Sequence, residues 1–365
     1  MTHRWSLTVP PGLEAVAQAE LTQLGVDGRA SPGAVLLSAT LDEGAALARR
    51  LRTANRLMCE VVAGKAHSLE GLAALVRSAD WRPFLRLRDP MELSVHVEES
   101  RLGRKDVIEK KVLHAIHDQL RSAPALSVPS SRPHRAQHLQ LRVVGDAVSL
   151  GIDAGGERLG VRGWRQAQGK APLRENLAAS LLMLAGWAGD EPLLDPFCGA
   201  GTIPIEAALL AAGEPPGGGR PYAMESWPAL QGAPASRKRP ASGLRPLITG
   251  SDNYGPALAD AAENAERAGV SVEWIHADIA DPPIPAAVGL VVTNPPYGLR
   301  LGHSVDGVYR ALGRALSGPL QGWRALFLCP DQRLARLVHP RAFAITGFSN
   351  GGVRVSAWAV DAQGR

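Results

Sequence analysis

Cysteine is scarce: three residues in 365, Cys59, Cys198 and Cys329, lie far apart and never in a Cys-x-x-Cys pair. That spacing supports neither a disulfide framework nor a zinc site. No stretch approaches the roughly 18 consecutive apolar residues of a membrane span. The opening MTHRWSLTVPPGLE also has no basic segment followed by an apolar region and a small-residue cleavage site. A cytoplasmic chain with no membrane partner is expected, with monomer as the default state. Paired acids, a nucleophile triad and metal-ligand spacing are missing too, so no metal is expected and direct group transfer is favoured over covalent catalysis. His134 and His138 fall in or near a loop and His303 is single, so the histidines read as structural or solvated.

Lysine is rare as well, six of the 40 basic residues, which points to a general preference for arginine. The charge is unevenly shared. Residues 1–170 hold 24 basic against 18 acidic residues, and the remainder 16 against 17. A basic front half suits a region that meets phosphates.

That front half alternates short strands and helices without a glycine-rich phosphate loop, and two small α+β units fit. RWSLTV reads as a strand; Leu13, Val16, Leu21 and Leu24 then recur at helical spacing, AVLLSAT returns as a strand, and DEGAALARRLRTANRL reads as a helix. The second unit begins near Met58 with the strand CEVVAGKA. Ser68 caps the helix LEGLAALVRSADW, and MELSVHV alternates Leu93, Val95 and Val97. The helix KDVIEKKVLHAIHDQL buries Ile108, Val112, Ile116 and Leu120 and shows Lys110, His114, His117 and Arg121 on its other side. This stripe is either a solvated face or a phosphate-contacting ridge; the candidate RNA contacts are Lys105, Lys110, Lys111, His114 and Arg121. SAPALSVPSSRPHRAQ reads as a loop, and LQLRVVGDAVSLGID as a hairpin turning at Gly145 and Asp146.

From Lys170 the pattern shifts to longer helices and purely apolar strands, as in a parallel sheet covered on both faces. APLRENLAASLLMLAG aligns Leu173, Leu177 and Leu181; strands follow at EPLLD, LITGSD, VEWIHAD, VGLVVTNPP and RALFLCP, describing a doubly wound α/β fold. Residues 213–247, rich in Pro and Gly and carrying Arg237-Lys238-Arg239, read as an exposed excursion near the ligand edge, more a solvated insertion than a substrate contact.

Chemistry gathers at the strand ends. LLDPFCGAGTIPIEAA ends a strand in Asp195, turns on Gly199 and Gly201 and opens a helix at Thr202, where glycine lets backbone approach a ligand. Pro204 stands where a dinucleotide fingerprint would place its third glycine, which weakens a nicotinamide or flavin reading. Asp252 ends the next strand, where a carboxylate can accept both ribose hydroxyls. Asp278 ends the third, placed to accept from an adenine amine while Ile279 packs on the ring. Singly each Asp could be a helix N-cap; as a series they read as a ligand edge. The candidate cofactor set along these strand ends is Asp195, Gly199, Gly201, Thr202, Asp252, Asn253, Asp278 and Ile279. In TNPPYG, Pro295 and Pro296 stiffen the turn and hold Asn294 extended, aiming its oxygen at a planar amine. An exocyclic base nitrogen is a poor nucleophile, and accepting its N–H bonds steadies the charge that builds as it attacks a sulfonium methyl. Tyr297 offers a face for an extruded base. Asn294, Pro295, Pro296 and Tyr297 form the candidate catalytic set.

With these motifs in order, the chain resembles the THUMP-domain RNA guanine-N2 methyltransferases over nearly its whole length. APLRENLAASLL, LLDPFCGAGTIPIEAA, GSD, HAD, TNPPYGLRLG and FSNGGVRVSAWAV carry the likeness in the catalytic half; LRTANRL, the Trp81 region, ESRLGRKDVIEKKV, IDAGGERL and RGWR carry it in front. The resemblance implies a ferredoxin-like unit over 1–57, a THUMP unit over 58–155, a linker over 156–170 and a Rossmann-like, seven-stranded class I methyltransferase domain over 171–365. It implies S-adenosylmethionine as cofactor, its methionine end held by Asp195, Phe197, Gly199 and Gly201, its ribose by Asp252 and its adenine by Asp278. It also implies a target guanine held by Asn294, Pro295 and Tyr297, in structured RNA, with tRNA favoured and 23S rRNA possible. NPPY also occurs in N6-adenine DNA methyltransferases and protein glutamine methyltransferases, which lack a THUMP-like front half, and a non-catalytic RNA-binding assembly factor is a further alternative. One departure stands out: where the family often reads L-H-R-R-G-Y-R, this chain has Leu159-Gly160-Val161-Arg162-Gly163-Trp164-Arg165.

Overall fold

A computed structural model describes residues 1–122, 136–166, 173–230, 246–297 and 305–361. The loop expected before residue 137 lies mostly outside them. So do His134, His303, Gly298 and the Arg237-Lys238-Arg239 run.

The front half contains β1 (His3–Thr8), α1 (Glu14–Gln23), β2 (Gly28–Ser31), β3 (Ala34–Ala39), α2 (Leu41–Arg50) and β4 (Arg56–Lys65). It continues through α3 (Leu69–Arg77), β5 (Met91–Glu98), α4 (Lys105–Ser122), β6 (Gln137–Val144) and β7 (Ala147–Asp153). All seven strands join one sheet in the order β2-β3-β1-β4-β7-β6-β5. The long strand β4 makes this possible. Its first residues pair with β1, from Arg56 opposite Thr8 to Cys59 opposite Trp5, while residues 58–65 pair with β7. Ser68 caps α3 as expected, its Oγ accepting from the Gly71 N–H at 3.1 Å, and the β6–β7 hairpin turns at Gly145 and Asp146.

The helix expected over residues 42–57 stops at Arg50 instead. Next in the chain, the N–H groups of Arg52 and Thr53 donate to the buried Glu20 carboxylate at 2.7 and 3.0 Å. A charged acceptor outcompetes the helical carbonyls there, and the chain extends into β4.

The second half contains α5 (Glu175–Leu184), β8 (Leu193–Asp195), α6 (Thr202–Ala211), β9 (Ile248–Asp252), α7 (Gly255–Ala268) and β10 (Glu273–His276). After these come β11 (Leu290–Thr293), α8 (Val305–Ser317), β12 (Arg324–Cys329), α9 (Gln332–Val338), β13 (Phe343–Asn350) and β14 (Val353–Val360). The strand order is β10-β9-β8-β11-β12-β14-β13; every strand runs the same way except β14, which pairs antiparallel with both β12 and β13. Apolar clusters cover both faces, one around Leu177, Leu181, Ile203 and Leu328, the other around Val291, Leu312, Phe327 and Ala335. Strand order reverses between β8 and β11, and open α/β sheets bind ligands at the carboxyl ends of such strands.

The two halves interlock. Leu13 and Val16, beside and on α1, pack into the catalytic core with Leu177 and Leu181. Glu206 of α6, fully buried, takes Arg162 Nε on its Oε1 at 3.0 Å and lies 3.8 Å from Arg52. Asn176 of α5 donates to Thr53 O at 3.3 Å and Asn55 Oδ1 at 3.0 Å. Gly160 sits against that amide, where an added Cβ would lie 3.0 Å from Asn176 Oδ1. Glycine in place of the family's usual linker residue therefore permits this close packing.

The excursion after α6 departs most from expectation. Residues 213–230, the described part, are not a solvated insertion: Tyr222, Met224, Trp227 and Leu230 are buried in the core of the front half. Trp227 stacks on Trp5 with centroids 6.3 Å apart, and its indole N–H donates to Gln137 Oε1 at 2.9 Å. The segment is a strap from the catalytic sheet into the neighbouring core. Its buried aromatics outweigh its Pro/Gly composition.

Candidate active site at the carboxyl edge of the sheet

Asp195 ends β8 and is almost wholly buried. Its Oδ1 accepts the Thr293 hydroxyl at 2.6 Å and the Phe197 N–H at 3.2 Å. Burial pushes its carboxyl up to about 7, the nearby Asp252 charge adds to this, and the two hydrogen bonds oppose it. The group is poised to ionise near neutrality beside a cation.

The chain then turns through Gly199 (φ +51°) and Gly201 (φ +83°), a left-handed conformation that favours glycine. Gly201 also has no room for a side chain, since a Cβ would lie 2.7 Å from the Trp274 ring. A Cβ on Gly199 would meet nothing within 4 Å, so its backbone borders open space. Its N–H donates to Asp252 Oδ2 at 2.9 Å, and the Tyr254 N–H donates to Asp252 Oδ1 at 3.0 Å. Asp252 thus links the first two strand ends. On the third, Asp278 Oδ2 accepts from the Asn253 amide at 3.0 Å and its Oδ1 from the Ala280 N–H at 2.9 Å. Ile279 is buried in the apolar cluster that Phe197 flanks.

Asn294 follows β11 directly, one residue beyond Thr293. Its Oδ1 is buried and has no hydrogen-bond partner among the described residues. A buried acceptor without a protein donor is costly, and at the carboxyl edge of a parallel sheet it is a candidate partner for a ligand donor. Pro295 is buried and Pro296 half-buried. Half-buried Tyr297 packs on the catalytic core, and its Oη accepts from the Asn350 amide at 2.7 Å. Burial raises the phenol's pKa, with the Asn350 bond opposing.

Thr202 opens α6, and its hydroxyl accepts from Arg165 at 2.6 Å; Arg165 also pairs with Glu175 at 3.0 Å. The linker thereby holds the first turn of the helix behind the glycine cradle. Thr293, Arg165 and Asn350 are site residues that sequence reasoning did not assign. The turn Asn350-Gly351-Gly352, between two alternating strands, was a signal for the last of them. The α4 stripe is mixed: Lys105, Lys110, His114 and Arg121 are exposed, His117 is half-buried, and Lys111 pairs with Glu70 of α3 at 2.5 Å.

Four successive strand ends therefore line one edge of the sheet: a buried carboxylate, a left-handed glycine turn, two further carboxylates and an amide oxygen without a partner among the described residues. Those donors and acceptors fit S-adenosylmethionine, whose ammonium, ribose hydroxyls and adenine amine need such partners beside a reacting amine. The fold and this edge are those of the class I S-adenosylmethionine-dependent methyltransferases. The chain belongs to the RMKL-like methyltransferase family, whose catalytic domain it matches over residues 162–356, and residues 6–58 match the RlmL ferredoxin-like domain. Among its relatives is a ribosomal RNA large subunit methyltransferase K/L of Marinomonas sp., 30% identical over 96% of this chain and 52% of that protein. Another is the putative RNA methyltransferase YpsC of Bacillus subtilis, 30% identical over 95% of this chain and 93% of that one. The crystal structure of SMU.472, a putative methyltransferase complexed with SAH, aligns with a TM-score of 0.85 at 28% identity, covering 99% and 98% of the two chains. The chain spans about half the length of the K/L relatives it matches.

Proposed function

We propose that this protein transfers a methyl group from S-adenosylmethionine to the exocyclic N2 of a guanine in structured RNA. The observation that carries this is the buried Asn294 Oδ1, without a partner among the described residues, beside the row of strand-end carboxylates. Asp195 takes the cofactor's ammonium, Gly199 and Gly201 let the backbone close on its methionine end, and Asp252 and Asp278 take ribose and adenine. When bound, the cofactor supplies an electrophilic methyl group. Asn294 Oδ1 accepts an N–H of the target amine and orients its lone pair, while Tyr297 stacks on the extruded base. Asn294 Oδ1 would keep hold of the amine while the methyl is transferred from sulfur to nitrogen and one N–H proton passes to solvent.

The front half is proposed to grip RNA away from the target base, with the exposed Lys105, Lys110, His114 and Arg121 of α4 facing phosphates. Large-subunit ribosomal RNA is the favoured substrate, from the names borne by K/L relatives; tRNA is the other RNA to test. The domain limits 1–57, 58–155, 156–170 and 171–365 belong to the same reading, as does a monomeric state.

The test incubates the protein with labelled cofactor and separate pools of ribosomal RNA, tRNA, DNA and release-factor protein. Label in RNA recovered as N2-methylguanosine is expected. Label in DNA or protein alone would overturn the reading.

A further inference from the structure

Asn350 is a polar residue in an apolar setting. Along β13 the side chains of Phe348 and Asn350 both turn inward, and Phe348 joins the cluster of Leu177, Leu181 and Val355 on which Tyr297 also packs. This facing follows a register shift between Ala344 and Thr346, where one extra residue enters the strand. The Asn350 side chain is buried and donates to Tyr297 Oη at 2.7 Å. Asn350 is also the last paired residue of its strand, opposite Val353, and the chain reverses through Gly351 (φ +58°) and Gly352 (φ +85°). Two left-handed residues make the tight turn whose twist matches the paired strands. The amide is thereby fixed in place.

We infer that Asn350 is a positioning residue of the target-base pocket, holding the Tyr297 ring through its phenol oxygen. The inference rests on the reading that Tyr297 stacks on the base. A bond at the far end of a tyrosine fixes the direction in which the ring projects, and the in-plane preference of the phenol lone pairs favours one tilt of the ring about its own axis. Each aligned pose saved before base entry lowers the ordering cost of binding. An apolar residue at 350 would suit the surrounding core, but would leave the phenol without its donor. Asn350 touches neither cofactor nor amine in this scheme; it acts through Tyr297.

The test uses full-length protein and RNA from cells lacking the gene, and compares Asn350→Ala, Tyr297→Phe, the double variant and Asn350→Asp. Asn350→Ala and Tyr297→Phe are each expected to lower kcat/KM for RNA about tenfold, as for one aligned hydrogen bond. The double variant should fall no further than either. Cofactor affinity by calorimetry should stay within about twofold, and Asn350→Asp should recover most of the rate, because a carboxylate accepts the phenol's own proton. Multiplicative losses in the double variant, an equal loss of cofactor affinity, or no recovery in Asn350→Asp would overturn the inference. Tyr297→Ala separates it from the reading beneath. If that variant is inactive while Asn350→Ala matches the parent, only the positioning role fails; if Tyr297→Ala remains active, stacking on the base fails first.

Discussion

Thr293 donates its hydroxyl to Asp195 at 2.6 Å, tying the ends of the two strands that flank the crevice. The bond opposes the burial that lifts the Asp195 carboxyl to about 7. If the ionised form receives the cofactor's ammonium, as proposed, affinity should fall about tenfold per unit as pH drops below about 7, with proton release on binding. Calorimetry in buffers of different ionisation enthalpy would measure both. Thr293→Val removes a hydrogen bond to the charged form and should move the transition upward by about one unit. An affinity flat between pH 5 and 8 would rule this out.

The same group affects the free protein with the opposite sign. Its folded pKa is raised above the usual carboxylate range, so its contribution to folding is greatest below that range and is lost as pH rises through about 7. Denaturation of free and cofactor-bound protein between pH 5 and 8 should therefore show the stabilisation by cofactor widening as pH rises. Parallel curves would contradict it.

Asn294→Ala removes the unpaired acceptor that faces the proposed amine. Methylation should fall by at least a hundredfold, as when a donor or acceptor aimed at developing charge is deleted. RNA affinity by filter binding and cofactor affinity by calorimetry should stay within a few fold. Unchanged methylation would remove Asn294 from the chemistry.

Glu206 lies under two arginines at the junction of the halves, fully buried with Arg162. Glu206→Gln would leave Arg162 buried without its counter-charge and should cost about 3–5 kcal/mol. Urea unfolding would read the loss, and a change below about 1 kcal/mol would show that other partners already neutralise the pair.

Trp227→Ala tests the strap. Removing a fully buried tryptophan should destabilise the protein by about 3–5 kcal/mol. An unchanged midpoint would mean that the front core closes without it.

The catalytic fold and the order of its ligand edge were legible because the relevant signals are local. Apolar strands ending in Asp195, Asp252 and Asn294 announce a parallel sheet with chemistry at one rim, and Gly199 and Gly201 mark the turn. What could not be read were relationships between distant segments. That Asn294 Oδ1 has no partner among the described residues is visible only in three dimensions, and Asn350 reaches Tyr297 from 53 positions away. Glu20, which ends α2 by taking the N–H groups of Arg52 and Thr53, looks like any helix-surface glutamate in sequence. The excursion misled because its Pro/Gly content speaks of backbone, whereas its fate is set by Tyr222, Met224 and Trp227.

The strap also sets a timetable for biosynthesis. The front sheet has all its strands once Asp153 has left the ribosome, yet its core lacks Trp227 until the catalytic half is well begun. At ordinary elongation speeds that interval lasts roughly 4–15 seconds. The nascent front half therefore waits with an unfilled apolar interior, and its final closure comes only after the helix that carries Glu206 has emerged.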